Sequence, residues 1–276
     1  MTKEKKRDRR IKIVLGVALL IGAIVWLLPF IWMILSSLKT DAEIMKFPPK
    51  FLPEHASFES FRELFSAFDF STYLKNTVII VLFSFLGMFF NAMAGFGFAK
   101  YDFKGREFFF YLVLATMMIP GQVTMIPVYL IMNSLQLTNS MVGIILPGLV
   151  GAYGIFLFRQ FISTVSNELI EAARLDGASE WFIFSKIILP ISKPVLAVQG
   201  IATFIAGWNS FLWPLIMAND EKYYTLSVGL QLLKGQYANN YSLQMAGSTF
   251  MVVPILIVFM FLQKYILDGY NVSGNK

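Results

Sequence analysis

Between Ser166 and Pro194 the chain reads SNELIEAARLDGASEWFIFSKIILPISKP, and these residue types suit contact with another surface rather than bond-breaking chemistry. Leu169, Ile170, Ala172, Ala173 and Leu175 give a helix a small, smooth apolar face, flanked by the charges of Glu171, Arg174 and Asp176. Such a face fits a groove on a partner protein, or it folds back on the chain's own helices; the residues alone leave both open. Ser166 is placed to cap this helix, Glu168 lies in its first turn, and Gly177 fits the position just past its end. Ser179 can cap a second helix through Trp181, Phe182, Phe184, Ile187 and Ile188, which Pro190 is expected to stop.

Catalysis has little to work with. Cysteine is absent, which excludes disulfides, iron–sulfur clusters and thiol chemistry. The one histidine, His55, sits in a proline-rich loop and leaves no histidine-based metal site. No G-x-x-x-x-G-K-S/T phosphate loop occurs, so ATP hydrolysis is not this chain's task. In the apolar stretches the polar residues are mainly Asn91, Gln122, Thr124, Gln199, Asn209 and Ser210, with Trp208, Phe211 and Trp213 beside the last two. Amides and hydroxyls of this kind either bond helices to one another or replace the water around a polar solute.

The elements that must carry these residues are read from hydropathy and charge. The chain is 57% hydrophobic and 14% charged, with a mean hydropathy of +0.64. A soluble domain is usually nearer half apolar and a quarter charged, so lipid must cover part of this surface. No charged residue lies between Lys12 and Lys39, Lys75 and Lys100, Glu107 and Arg159, Lys193 and Asp220, or Lys234 and Lys264. A hydrocarbon core about 30 Å thick takes roughly 20 residues of helix. Four of those gaps fit one span each, and the longest fits two around the polar run Asn133 to Ser140. The expected spans are 13–37, 76–98, 108–132, 141–162, 195–217 and 246–263, making an all-α membrane protein with six transmembrane helices.

Charge placement sets the expected orientation. Lys3, Lys5, Lys6, Arg7, Arg9, Arg10 and Lys12 precede the first span; with both termini in the cytoplasm, sixteen of the 23 basic residues fall on that side. The net charge of +6 is thus a topology signal and not a nucleic-acid patch. The amino terminus reads as an uncleaved span, its apolar run being too long for a signal peptide. In the external loop, Phe58, Phe61, Leu64, Phe65 and Phe68 share one helical face, which predicts a short amphipathic helix on the membrane surface. The organisation expected is 1–70 (amino terminus, first span, external loop), 71–265 (a five-span core with the 159–194 loop) and a 266–276 cytoplasmic tail.

Glu171-Ala172-Ala173, then Asp176-Gly177, then Ile187, Leu189 and Pro190, resemble the EAA loop of binding-protein-dependent ABC importer permeases, and every position of that spacing is met. MMIPGQVTMIPVYL (117–130), FLFRQF (156–161), WNSFLWPLI (208–216), YTLSVGL (224–230) and LQKYILDG (262–269) resemble the carbohydrate branch, in particular the MalG-type subunit of maltose-like systems. Ser166 stands where the family often has proline, and the ending YNVSGNK matches only loosely.

The resemblance implies a type I importer permease in the inner membrane, with a cytoplasmic coupling helix. It implies a homologous second permease, a dimer of ATPase subunits holding the ATP and Mg, and an extracytoplasmic solute-binding protein. This chain would bind no cofactor. The EAA residues would couple to the ATPase, with Asn91, Gln122, Trp208, Asn209 and Trp213 as candidates for the solute pathway. Another importer branch (amino acid, peptide or polyol) is the alternative. A secondary transporter would need ionisable residues inside its spans, and these spans have none.

Overall fold

The computed structural model describes the backbone of residues 3–66, 69–236 and 239–273, and side chains over 11–66, 69–235 and 239–265. Phe68, one of the five residues of the expected amphipathic face, and the last three residues of the tail lie outside the described residues. In order, the α-helices are α1 (Lys3–Ser36), α2 (Asp41–Ile44), α3 (Glu59–Ser66), α4 (Phe70–Lys100), α5 (Arg106–Met117), α6 (Gly121–Ser134), α7 (Met141–Ile145) and α8 (Ala152–Ser163). They continue with α9 (Asn167–Leu175), α10 (Glu180–Phe182), α11 (Leu189–Ile191), α12 (Lys193–Trp208), α13 (Leu212–Met217), α14 (Leu226–Gln236) and α15 (Tyr241–Ser273). Among the described residues five stretches are long and apolar enough to cross a membrane, and a sixth span results if the bent pair α5–α6 counts as one.

Two compact units emerge. The first joins Met1–Phe68 to Leu232–Val252; the second joins Asp69–Gln231 to Val253–Lys276. In the first, Ile11–Ser36 is apolar on every side, yet none of its most apolar window is buried within the chain. A helix of that kind needs lipid or another protein around it. The expected helix of the external loop forms as α3, but its apolar face divides. Leu64 is fully buried, Phe65 meets Phe250 edge to face at 6.0 Å, and Asn240 Nδ2 donates to Glu63 Oε1 at 3.2 Å, while Phe58 stays exposed. Protein therefore takes part of the face assigned to the membrane surface.

The second unit is built around α4, which packs chiefly on α8 and α12. Small residues allow the close approach. A Cβ at Gly87 would lie 1.7 Å from the Leu149 carbonyl oxygen, and one at Gly95 would lie 2.5 Å from Phe158 Cβ. The other spans wholly within this unit are interrupted. The expected helix over 108–132 breaks by 103° between α5 and α6, where Pro120 itself is extended (φ −58, ψ 130) and has no N–H to continue the ladder. The next span opens between α7 and α8, and the one after it between α12 and α13. Freed backbone groups at such breaks must find other partners in a membrane, and side chains supply them at two of the three breaks. Asn91 Oδ1 accepts the Gly151 N–H at 3.0 Å, and Thr225 Oγ1 donates to the Ser210 carbonyl at 2.8 Å.

Candidate functional site

The loop from Ser166 onward folds as two short helices against the end of α4. Ser166 caps α9, its Oγ accepting the Glu168 N–H at 3.1 Å. The inner face of α9 sinks Ile170, with Ala173 partly buried behind it, into a cluster with Ala92, Phe96, Phe158, Ile162, Phe184 and Ile188. Burying an isoleucine side chain of this kind stabilises by about 2 kcal/mol. The outer face is unspent: Glu171 and Ala172 are exposed, Leu169 is 42% exposed, and Leu175 is 89% exposed. Among the described residues Glu171 has no ion pair or side-chain hydrogen bond.

The helix ends in a paired-bond turn. The Ala178 N–H donates to the Ala173 carbonyl at 2.9 Å and the Gly177 N–H to the Arg174 carbonyl at 3.0 Å, with Gly177 at φ +81. No atom lies within 4 Å of where a Gly177 Cβ would stand, so glycine is needed here for its backbone angle alone. Asp176 occupies the cap and is exposed. Ser179 then caps α10 by accepting the Phe182 N–H at 3.2 Å.

Pro190 does not stop the second helix as expected. The chain passes from α10 through a π-helical segment, Ile183–Ile188, into α11 with Pro190 inside it, and breaks at Ser192. The wide turn explains the tolerance: the Leu189 N–H reaches back to the Phe184 carbonyl, which moves the preceding turn away from the proline ring. Ile187 and Leu189 pack partly buried against the same cluster as Ile170.

Arg174 and Glu180 bridge the turn, with Nε to Oε1 at 2.7 Å and Nη2 to Oε2 at 3.1 Å. The Tyr101 hydroxyl, from just beyond α4, donates to the same Glu180 Oε2, and the Arg174 guanidinium lies 5.7 Å from the Tyr101 ring. The Arg174 bonds, then the Tyr101 bond, hold the Glu180 carboxyl below its usual range. Glu180 raises Arg174 in return. Burial first, and Glu180 second, push the Tyr101 hydroxyl up to about 12. At the other end of α9, Lys100 Nζ donates to the Val165 carbonyl at 2.5 Å and to Asn167 Oδ1 at 2.8 Å. Sequence reading missed these three partners, because nothing local links Tyr101 to Glu180 across the chain.

The candidate pathway residues separate. Gln122 and Trp213 line a cavity of about 490 Å³ with Ile80, Ser84, Thr124 and Ser210. Trp213 Nε1 donates to the Ile144 carbonyl at 3.1 Å, which fixes its ring in the wall. Asn91, Trp208 and Asn209 do not line that cavity. Asn91 is buried in its bond to Gly151, Trp208 is buried and stacks on Phe204 at 5.6 Å, and Asn209 is an exposed helix cap. The signal that could have pointed to the cavity's wall is the proline-glycine pair Pro120-Gly121, whose Gly121 lines it.

Residues 85–270 match the family described as "Binding-protein-dependent transport system inner membrane component", and the chain belongs to it. It is 39% identical over 258 residues, 92% of each chain, to the arabinooligosaccharides transport system permease protein AraQ of Halalkalibacterium halodurans. The protein of that name in Bacillus subtilis is 36% identical across 96% of each chain. The lactose transport system permease protein LacG of Rhizobium radiobacter is 31% identical across 90% of this chain and 91% of its own. Among solved structures, a bacterial ABC transporter involved in import of the acidic polysaccharide alginate matches with a TM-score of 0.80 and 26% identity. That match covers 96% of this chain and 98% of the other. The chain is thus a multi-pass permease subunit of a transport system.

Proposed function

We propose that this chain forms half of the translocation pathway of an ATP-driven carbohydrate importer, with oligosaccharides of the arabino-oligosaccharide kind as its solute. In this reading both termini and α9 face the cytoplasm, a homologous permease completes the pathway, and an external solute-binding protein delivers the sugar. ATP and Mg are held and consumed by a separate ATPase dimer. The observation that carries the reading is α9 itself, a helix anchored by Ile170 that leaves Leu175 and Glu171 exposed on its outer side. An exposed leucine beside an unpaired carboxylate is what a docking groove with a basic rim would take.

Within the EAA motif, Glu171, Ala172 and Asp176 face outward for contact, while Gly177 turns the chain. Ala173, Ile187 and Leu189 hold the helix from behind, and Pro190 lies in α11 just past the wide turn. Gln122 and Trp213 are the pathway residues that the cavity supports. The test is reconstitution of the complete transporter in proteoliposomes, with arabinotriose as probe. Uptake is expected only with binding protein and ATP inside the ATPase compartment. Glu171→Lys should insert and fold normally yet lower uptake by about tenfold or more, as for loss of one partner of an interfacial charge pair. Uptake by the isolated chain, or labelling of α9 from the outside, would overturn the reading.

A further inference from the structure

Lys100 and Tyr101 are neighbours in sequence, and they hold opposite ends of α9. Lys100 fastens the start of that helix through the Val165 carbonyl and Asn167, and Tyr101 fastens its end through Glu180, which in turn grips Arg174. Both residues lie where α4 finishes. Among the described spans wholly within the second unit, α4 is unbroken, whereas α5–α6, α7–α8 and α12–α13 are each interrupted. An interrupted span absorbs a push at its break, whereas a 31-residue helix carries it along its length. The near end of α4 stacks Phe96 on Phe184 at 5.6 Å, and its far part brings Ile80 and Ser84 to the cavity wall.

We infer that Lys100 and Tyr101 are positioning residues forming a two-point clamp through which motion of the docked α9 is delivered to α4, and so to the cavity. The inference rests on the coupling role proposed for α9. Without the clamp, α9 still docks through Leu175 and Glu171, but it can rock on Ile170 instead of moving α4. ATP is then consumed with less solute moved.

The test uses the complete transporter in proteoliposomes and reads arabinotriose imported per ATP hydrolysed. Tyr101→Phe should lower that ratio about threefold and Lys100→Met with Tyr101→Phe about tenfold, within the range of coupling mutations remote from ligand. The amount of assembled complex and its hydrolysis rate should stay near wild type, which a purely structural defect would not allow. Lys100→Arg alone, which keeps a cationic donor, should leave the ratio near wild type. In a Glu180→Ala background, which removes the acceptor itself, Tyr101→Phe should cost nothing further, since both remove the same bond. A ratio equal to wild type in Tyr101→Phe and in the double variant overturns the clamp. Should the double variant fail to assemble, Tyr101→Phe, which lacks a single hydroxyl, decides alone. Wild-type complex that imports no arabinotriose would count against the functional reading, and only a working complex with an unchanged ratio counts against the clamp.

Discussion

The two ends of the second unit are closed in different ways. Opposite the α9 end, the chain spends its polar groups on itself. Asn139, at φ 53, accepts the N–H groups of Asn219 (3.0 Å) and Asp220 (2.9 Å) on Oδ1 and donates through Nδ2 to Asp220 Oδ2 at 2.8 Å. Asn76 donates to the carbonyls of Lys222 and Tyr224 at 2.8 and 2.9 Å, and Thr77 Oγ1 accepts the Leu226 N–H at 2.9 Å. At the α9 end the bonds hold one helix in place and stop there, leaving Leu169, Leu175 and Glu171 uncovered. One end is finished by its own residues; the other is built to be finished by a partner.

Glycine substitutions should separate the ends most strongly. A Cβ at Gly143 would stand 2.0 Å from the Leu137 carbonyl oxygen and 2.6 Å from Met217 Cε, and the backbone oxygen cannot yield. Gly143→Ala should therefore destabilise by roughly 3 kcal/mol, at the upper end of the usual overpacking cost. Gly177→Ala meets no atom and should cost only about 1 kcal/mol, from its left-handed backbone. Thermal unfolding of the purified complex measures both. Equal losses would break the comparison.

A smaller effect is expected from Asn139→Ala, which deletes three side-chain bonds and puts alanine at positive φ, for about 2 kcal/mol in all. Asn139→Gly relieves the backbone strain but not the lost bonds, so it should recover up to about 1 kcal/mol of that. Neither should alter solute moved per ATP in the complex that remains. A changed ratio would mean that the self-closed end also takes part in coupling.

How much of this was legible beforehand follows the range of the interactions. The spans, α3, the capping serines Ser166 and Ser179, and the turn at Gly177 are set by neighbours in sequence, and pattern reading found them. The 103° break falls inside a span expected over 108–132, because Pro120 is ambiguous until the surrounding helices decide which freed groups can be bonded. Pro190 misled for the opposite reason: a π turn, which has no local signature, let the helix run through it. Asn91 was placed in the pathway on its polarity alone. Its task depends on Gly151, sixty residues away, and Tyr101 depends on Glu180 in the same manner.

The smallest expected effect is the dependence of the α9 end on pH. Glu180 is held below its usual range by Arg174 and Tyr101, so its contribution is complete above the ordinary carboxylate range and fades as pH falls through the lowered value. Tyr101 runs the other way. Its hydroxyl is raised to about 12, so the bond it donates is complete below about pH 10 and is lost as pH rises through the raised value. Amide hydrogen exchange in α9, corrected for the intrinsic rate, should thus be flat from about pH 5 to 9 and rise outside that window. The side chains of Arg174 and Glu180 are 40% and 47% exposed, so solvent screening keeps the acid-side change to about 0.5 kcal/mol. Glu180→Gln should remove the acid-side rise at α9 while leaving intact the acid response at the other end, where Asn139 and then Lys222 lower Asp220. A step near neutrality would instead require a titrating group other than these two, and the clamp at Tyr101 and Glu180 would no longer account for how α9 is held.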